Sequence, residues 1–442
     1  MSLNETHSLT AGATKFRFGD SVRPLILASA ACGLLAGPFS LAADYQVQPS
    51  IKGRLTNDDN LLLNNDGLEI ETLLFVVTPR LQVTRSTEKW QATVDASLTA
   101  ERLEVDDFNS DNQNLTIQLI RQAETVQFQL VALNDRGNTR VNELDELGQV
   151  GVGVDRRDRQ YIRPGATWTL NAKNRLAFGV SGENVHYGGL VFSDYDNFAA
   201  DVAWTHQFDE KTQFNVSTFA SEYTAAPPVA RPNQFEVCDF TSIVVPGVGI
   251  NFARLGSIDS FESETVGVQV GGSRQPTRRF SYRGSLGYRS VTNTNDVLCA
   301  ANGLNVTSGS SDGFILDTGA NYQGEKYGVD VSFARSITPV GLGFLTERDN
   351  FRLNMSYRFT EHLTATFLVN GFNTQSIDEG FAFEQEGFRV APGMNWRFNE
   401  KLSLNGGVIY RSAESLFVEG ERDGLSVYVG FNYNFKPVRF TR

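Results

Sequence analysis

The feature that most constrains this chain is a two-residue alternation of apolar and polar side chains, repeated in runs of about ten residues. In residues 351–359 the odd positions are Phe, Leu, Met, Tyr and Phe, and the even positions are Arg, Asn, Ser and Arg. Successive side chains of a strand point to opposite faces, so each run predicts a strand with one apolar face. Strands of soluble sheets usually have about 5 or 6 residues, whereas a strand tilted across a bilayer needs roughly 9 to 11. The run length therefore favours a membrane-spanning sheet.

Short polar turns alternate with longer acidic or glycine-rich loops. The turns lie at 86–89, 171–174, 209–212, 323–326, 360–362 and 399–401, and the loops at 57–68, 102–113, 134–158, 224–260, 293–312, 374–386 and 413–424. Outer-membrane barrels show this asymmetry, with short periplasmic turns and long extracellular loops. We predict an all-β fold, a transmembrane antiparallel up-and-down β-barrel of about 18 strands over residues 44–442. The weak pattern at 114–134 leaves 16 strands as the alternative.

The four tryptophans give an independent indication of the membrane boundary. Each lies within about five residues of a predicted periplasmic turn and on the apolar face of its strand, as an interfacial aromatic girdle requires. They are Trp90, Trp168, Trp204 and Trp396. The alternative is that each packs in the core of a soluble sandwich.

The N-terminus predicts export. Residues 24–43 contain no charged side chain, follow Lys15, Arg17 and Arg23, and end in Ser-Leu-Ala-Ala. A basic segment, an apolar segment and small residues at the cut form a signal peptide, here residues 1–43. We therefore expect the chain in the outer membrane of a Gram-negative bacterium, with membrane lipid as its surroundings. A formal net charge of −12 would repel a phosphate backbone, and no run of Lys or Arg indicates a basic module, which argues against nucleic-acid binding.

The last strand and one central segment resemble a known family. Residues 193–198, Ser-Asp-Tyr-Asp-Asn-Phe, lead into a strand and then into the turn Asp-Glu-Lys-Thr at 209–212. This arrangement resembles the outer-membrane β-barrel porins associated with bacterial exopolysaccharide and exosortase systems. The resemblance covers roughly residues 45–435 and implies an outer-membrane pore or scaffold, with exopolysaccharide as a partner.

The final strand also fits the pattern by which the barrel assembly machinery, an expected partner, recognises its substrates. The pattern is a polar or aromatic residue, a glycine and two alternating aromatic residues, here Tyr428, Gly430, Tyr433 and Phe435. Many such barrels end on the terminal aromatic residue, whereas this chain continues to Arg442, with Phe440 as a possible substitute for it.

If the apolar faces contact lipid, the opposite faces line a pore rich in arginine. A guanidinium stays charged at any physiological pH and binds carboxylate or sulfate through two donors, so such a lumen suits small anionic solutes. The basic candidates are Lys52, Arg54, Arg163, Arg175, Arg283, Arg289, Arg352, Arg358, Arg389, Arg397 and Arg411. The acidic candidates are Asp95, Glu101, Glu183, Asp201, Asp317 and Asp330. The alternative is that these charges pair across strands and brace the wall.

Two cysteines, Cys238 and Cys299, fall in predicted external loops on either side of one hairpin. An exported chain meets an oxidising compartment, so the two form a candidate disulfide, with two separate thiols as the alternative.

Three functions remain open at this stage. The first is a porin-like channel that passes small solutes, with a preference for anions, or exports an exopolysaccharide. The second is a structural or adhesion barrel whose loops bind ligands outside the cell. The third is an enzyme embedded in the barrel. Gly309–Gly313 spells Gly-x-Ser-x-Gly but lies between two strands. We therefore predict no catalytic residue, and neither a metal nor a cofactor site.

Overall fold

The computed structural model describes residues 43–441, apart from 65–66, 68, 106–107, 140–154, 190–191, 226–242, 245–250, 253–257, 298–308, 341–343, 378–383 and 416–417. The predicted signal peptide, up to residue 42, and both Cys238 and Cys299 lie outside the described residues. Within the described part of the chain, no helix is long and apolar enough to cross a membrane.

The strands follow one another along the chain. They are β1 (Asp44–Asp58), β2 (Thr72–Ser86), β3 (Trp90–Leu103), β4 (Ser110–Gln122), β5 (Val126–Asn138), β6 (Arg156–Thr169), β7 (Asn174–Tyr187), β8 (Tyr195–Asp209), β9 (Thr212–Ala225), β10 (Ile243–Val244), β11 (Asn251–Phe252), β12 (Ile258–Thr277), β13 (Phe280–Val297), β14 (Gly309–Gln323), β15 (Tyr327–Val340), β16 (Phe344–Arg358), β17 (Leu363–Ser376), β18 (Glu384–Arg397), β19 (Leu402–Ser415), β20 (Val418–Asn434) and β21 (Val438–Thr441).

Strands β1–β9 and β12–β20 form a closed antiparallel barrel of 18 strands, which confirms the predicted fold and strand number. Each strand pairs with the next barrel strand along the chain, and β9 pairs with β12 across the longest loop. The barrel closes where Ser50–Asp58 of β1 pair with Ser426–Asn434 of β20. At the rim β21 continues this seam by pairing with residues 44–47, so the chain reaches four ladder positions past the predicted terminal aromatic residue.

The 18 barrel strands are longer than the alternating runs predict, from 13 residues in β4 to 20 in β12. A crossing needs only about 9 to 11 residues, so the ladders continue beyond the bilayer. Most of the predicted loop at 413–424 is strand, because β19 continues to Ser415 and β20 begins at Val418. On the same rim β7 ends at Tyr187 before β8 begins at Tyr195, and β15 ends at Val340 before β16 begins at Phe344; the predicted loops include neither break.

Side-chain hydrogen bonds form the short turns on the opposite rim. The Lys173 amide donates to Asn171 Oδ1 at 2.9 Å, and the Lys211 amide donates to Asp209 Oδ1 at 2.7 Å. The Lys401 amide makes the same contact with Asn399 Oδ1 at 2.8 Å. Asn and Asp favour turns because their side chains bond the backbone two residues on. The recurring Asn/Asp-x-Lys spelling is therefore a turn signal.

The outer surface is a band of exposed apolar side chains. In β20 Leu425, Val427 and Val429 are 44–57% exposed, whereas Ser426, on the opposite face, is 2% exposed. In water each such surface costs about 25 cal/mol per Å² of apolar area, and in lipid that cost vanishes. A closed barrel with this exterior spans a membrane, because closure joins the two edges of the sheet and the ladders pair the backbone from strand to strand.

Candidate functional site in the barrel lumen

All the arginines predicted to line a pore lie on the inward parity of their strands. In β13 Tyr282, Leu286 and Tyr288 are exposed on the outside, and Arg283 and Arg289 alternate with them. The same alternation turns the following residues inward: Arg352 and Arg358 in β16, Arg389 and Arg397 in β18, and Arg411 in β19.

The strand register brings several of these residues into one row across the inner wall. From β13 to β19 the paired positions are Arg283, Gly319, Ser332, Arg352, Asn370, Arg389 and Arg411. Neighbouring strands lie about 4.8 Å apart, so Arg352 and Arg389, two strands apart, are separated by about 10 Å at Cα. We call this set the arginine row. Because barrel strands are tilted, the row climbs obliquely across the inner wall, from Arg283 near the short turns to Arg411 near the extracellular end, along small or polar side chains.

One side of the inner wall is strongly basic. By strand parity, the inward positions described in β16–β20 include arginines but neither Asp nor Glu, and Lys52 and Arg54 adjoin them in β1. Glu347, of the opposite parity, reaches the lumen only at the buried end of β16, where it pairs with Arg289. Among the described residues no carboxylate forms an ion pair with Arg352 or Arg358. Arg397 donates to the Glu361 backbone oxygen at 2.8 Å. We call the inward face of β16–β20, with Lys52 and Arg54, the basic sector.

The rest of the inner wall carries both signs of charge, and most arginines there are paired. Ion pairs join Arg80 to Asp95, Arg159 to Glu183 (2.6 Å), Arg163 to Asp201 (2.7 Å) and Arg283 to Asp317 (3.1 Å). We call the inward face of β2–β9 and β12–β15 the paired sector. In the paired sector, therefore, lumen arginines and carboxylates pair across strands and brace the wall, which is the alternative to an arginine-lined pore that favours anions.

One of these pairs depends on a glycine. Arg163 is on β6 and Asp201 on β8, so their contact passes over β7 at Gly179. A Cβ at position 179 would lie 2.6 Å from Asp201 Oδ1 and 2.9 Å from Arg163 Nη2. Gly179 therefore leaves the space through which the two side chains meet.

Arg411, at the end of the arginine row, is neutralised by an anchored loop. Its Nη2 donates to both carboxylate oxygens of Asp58, at 2.8 and 2.7 Å, and Ser426 Oγ donates to the same carboxylate at 2.9 Å. Beyond Asp58 the chain turns inward, and Leu61 and Leu63 are only 2% and 1% exposed. The β1–β2 connection thus packs against the inner wall at the extracellular end.

A second element enters the lumen from the opposite side. Residues 345–348 of β16 are all buried, and Glu347 Oε2 accepts from Arg289 Nη2 at 2.6 Å. The extracellular mouth is therefore narrowed by the β1–β2 connection and by the end of the β15–β16 hairpin.

Two cavities open on the lumen. One, of about 320 Å³, adjoins the β13 end of the arginine row and is lined by Gln213, Arg283, Asn321, Asp330 and Ser332 among others. The other, of about 330 Å³, is lined by polar and charged side chains that include Lys52, Arg80 and Asp95. Among the described residues no three His, Cys, Asp or Glu side chains converge as metal ligands.

The tryptophans and the final strand lie on the outside near the short turns. Trp90, Trp168, Trp204 and Trp396 are each between 37% and 49% exposed on the outward face. In the final strand Tyr433 stacks edge-on against Phe435, with ring centroids 4.9 Å apart. Phe440 in β21 stacks on Tyr45 at 5.0 Å. Tyr428 and Gly430 lie on the inward parity of β20.

Sequence reasoning missed several charged residues of the lumen. Arg80, Arg159 and Asp58 follow the same alternation as the predicted set, so that pattern could have found them. Glu347 is different, because its parity in β16 is that of the outward Phe351, and only the displacement of the hairpin turns it inward.

The strand order and the apolar exterior define an outer-membrane β-barrel. No family model matches the chain, and no curated protein matches it in sequence. Similar solved structures include the outer membrane protein OpdK of Pseudomonas aeruginosa (7% identity, TM-score 0.42), covering 88% of this chain and 99% of OpdK. OccAB4 of Acinetobacter baumannii has 12% identity and a TM-score of 0.42, covering 90% of this chain and 98% of that one. The FrpB iron transporter of Neisseria meningitidis has 8% identity and a TM-score of 0.44, covering 92% and 83%.

Proposed function

We propose that this protein is a porin-like channel of the outer membrane that passes small solutes and prefers anions. The observation that carries the proposal is the basic sector, where Arg352 and Arg358 face the lumen without a carboxylate partner among the described residues. Rings or rows of arginine favour anions in pores because they lower the electrostatic barrier for negative charge.

The arginine row offers an anion several cations in succession along an oblique path across the inner wall. Arg352 and Arg389 flank Asn370, about 10 Å apart at Cα, so a solute can move from one guanidinium to the next. Arg411 contributes less, since Asp58 neutralises it. The acidic excess of the whole chain does not oppose this preference, because charges beyond about 10 Å are largely screened at 0.1 M salt.

The inward elements favour small solutes over a polymer. Leu61 and Leu63 of the β1–β2 connection and residues 345–348 of β16 occupy space inside the extracellular end. Export of an exopolysaccharide, which the resemblance implies, would require these elements to move aside. The adhesion alternative rests on the loop at 224–260, most of which lies outside the described residues.

Recordings from the purified protein in a planar lipid bilayer test the proposal. We expect discrete conductance steps. In a KCl gradient we expect a reversal potential whose sign shows that chloride is more permeant than potassium. A reversal potential showing potassium preference would contradict the anion preference. A folded, heat-modifiable protein that inserts without conductance steps would contradict the channel itself.

A further inference from the structure

Tyr428, which the sequence places in the insertion pattern of the last strand, lies along the inner wall of the barrel. It pairs with Gly407 of β19, and Gly407 pairs with Gly393 of β18. A Cβ at Gly407 would lie 3.0 Å from Tyr428 Oη, and a Cβ at Gly393 would lie 3.1 Å from the same atom. The tyrosine side chain therefore extends from β20 across β19 toward β18.

The two glycines serve to leave space for the ring. Glycine is often required where φ is positive, but among the described residues Gly67 is the only glycine in that conformation. Gly393 and Gly407 lie in regular antiparallel ladders, where other residue types fit the backbone equally well. Their missing side chains instead give Tyr428 a place against the wall. The ring is partly exposed, so its surface away from the wall faces the lumen.

A row of amide side chains adjoins the ring on the side of the short turns. Gly430, two residues after Tyr428, pairs with Asn405 of β19, and Asn405 pairs with Asn395 of β18. Diagonal neighbours on one face of a sheet are about 7–8 Å apart at Cα, within reach of an aromatic side chain. A Cβ at Gly430 would lie 2.9 Å from Asn405 Oδ1, so this amide leans toward the strand that carries the ring.

Arg54 supplies a positive charge on the other side of Gly430. It pairs with Gly430 across the seam that closes the barrel, and its side chain is exposed to the lumen. Among the described residues no carboxylate forms an ion pair with Arg54. Because Gly430 has no side chain, nothing stands between the guanidinium and the Asn405 amide. We call the following set the tyrosine platform: Tyr428, Asn405, Asn395 and Arg54.

The polar groups of the tyrosine platform have unused hydrogen-bonding capacity. Among the described residues the Tyr428 hydroxyl and the amides of Asn405 and Asn395 make no side-chain hydrogen bond. In the paired sector, by contrast, Asn321 donates to Asp330 Oδ2 at 3.2 Å. An amide both donates and accepts, as a hydroxyl group does, so two neighbouring amides match a solute with several hydroxyls.

The combination of a ring, amides and one cation points to a particular class of solute. An aromatic side chain offers apolar surface that a flat, weakly polar solute face can cover. An inorganic anion would use Arg54 alone, and an apolar solute would cover the amides without bonding them, which costs free energy. A sugar ring has C–H faces and hydroxyl edges, and a carboxylate on it binds an arginine through charge-assisted hydrogen bonds.

We propose that the tyrosine platform is a binding site in the lumen for a cyclic sugar that carries a carboxylate. The sugar ring covers Tyr428, and its carboxylate pairs with Arg54. The hydroxyl groups bond the amides of Asn405 and Asn395. This inference rests on the proposed channel function and deepens it, since it names the class of small anion that the lumen takes up. Binding to the site is measurable without any conductance.

Three related probes separate the contributions of the ring and the charge. Glucuronate has both a sugar ring and a carboxylate, methyl glucoside has the ring without the charge, and gluconate has the charge and hydroxyls on an open chain. Saturation-transfer NMR titrations of the purified, folded protein in detergent micelles measure each Kd. We expect glucuronate to bind about tenfold more tightly than either of the other two probes.

Substitutions assign the two contributions to residues. Tyr428→Leu should raise the Kd of glucuronate about tenfold and leave that of gluconate unchanged, whereas Tyr428→Phe should keep most of the affinity. Arg54→Gln should raise the Kd of glucuronate to about that of methyl glucoside, whose own Kd stays the same. Tyr161→Leu is the matched control, because Tyr161 is also inward and partly exposed but lies on β6 in the paired sector. It should change none of the three constants.

Two results would overturn the proposal. One is equal affinity for glucuronate and gluconate in the unsubstituted protein, which means that no ring surface is recognised. The other is an unchanged glucuronate Kd in Tyr428→Leu or Arg54→Gln barrels that retain heat-modifiable migration, which means that the substituted residue only packs or braces the wall. Bilayer recordings separate the two proposals. Binding without conductance contradicts the channel alone, and conductance without glucuronate binding contradicts the tyrosine platform alone.

Discussion

The basic sector and the paired sector are built on the same alternating strands but treat charge differently. In the paired sector an arginine meets a carboxylate on its own or a nearby strand, as Arg163 meets Asp201. In the basic sector Arg352 faces Ser332 on one side and Asn370 on the other. Paired charges contribute to the wall and little to the field in the lumen, whereas unpaired charges of one sign attract the opposite ion. From this difference we infer that the charges of the paired sector stabilise the wall, whereas those of the basic sector select the ion.

The largest effect is expected from removing charge in the basic sector. Arg352→Gln with Arg358→Gln should lower the chloride-to-potassium permeability ratio about threefold, because two lumen cations that have no carboxylate partner among the described residues are lost. Reversal potentials in a KCl gradient measure this ratio. The control, Arg163→Gln with Asp201→Asn, removes one charge of each sign from the paired sector and should leave the ratio unchanged. An equal fall in both double variants would remove the distinction between the sectors.

Raising the salt concentration should also reduce the preference for chloride over potassium, but by a smaller factor than the double substitution in the basic sector. The screening length falls from about 10 Å at 0.1 M to about 3 Å at 1 M, which is shorter than the spacing between Arg352 and Arg389. We therefore expect the permeability ratio to fall about twofold between these concentrations at a fixed KCl gradient ratio. A ratio independent of salt would indicate selection by size or direct binding instead of by the field.

A single substitution should make the paired sector resemble the basic one. Asp201→Asn leaves Arg163 without its carboxylate partner, so the chloride-to-potassium ratio should rise, by about 1.5-fold for one exposed cation. Arg163→Gln should change the ratio in the opposite direction. If both variants shift the ratio the same way, the pair acts through the shape of the wall and not through its charge.

The smallest effect is expected at Gly179. Gly179→Ala places a methyl group between Arg163 and Asp201 and separates the pair while both charges remain. Because the pair is partly exposed, we expect a loss of about 0.5 kcal/mol or less in the free energy of unfolding and an unchanged permeability ratio. Urea unfolding of the barrel in lipid vesicles measures the first quantity. A loss above about 2 kcal/mol would mean that the backbone is displaced as well.

The sequence predicts which side chains of the wall face the lumen and which face lipid, because this depends only on the local alternation along each strand. Alternation in 351–359 is enough to place Arg352 and Arg358 on the inner face and Phe351 on the outer one. The pairing of Arg163 with Asp201 is beyond such a pattern, since it depends on the register of three strands and on the missing side chain at Gly179. The position of the β15–β16 hairpin is also beyond it, because β16 has the alternation of any wall strand. Only the interrupted β14–β15 ladder reveals the displacement.

Direct observation of anions in the lumen tests the central claim, that the basic sector alone attracts them. Crystals of the protein soaked in bromide would give an anomalous difference map in which the bound ions are identified by element. We predict bromide beside the guanidinium groups of Arg352 and Arg358, and none beside Arg163, whose partner is Asp201. Bromide at Arg163 as strong as at Arg352, or bromide absent from both Arg352 and Arg358, would contradict the account.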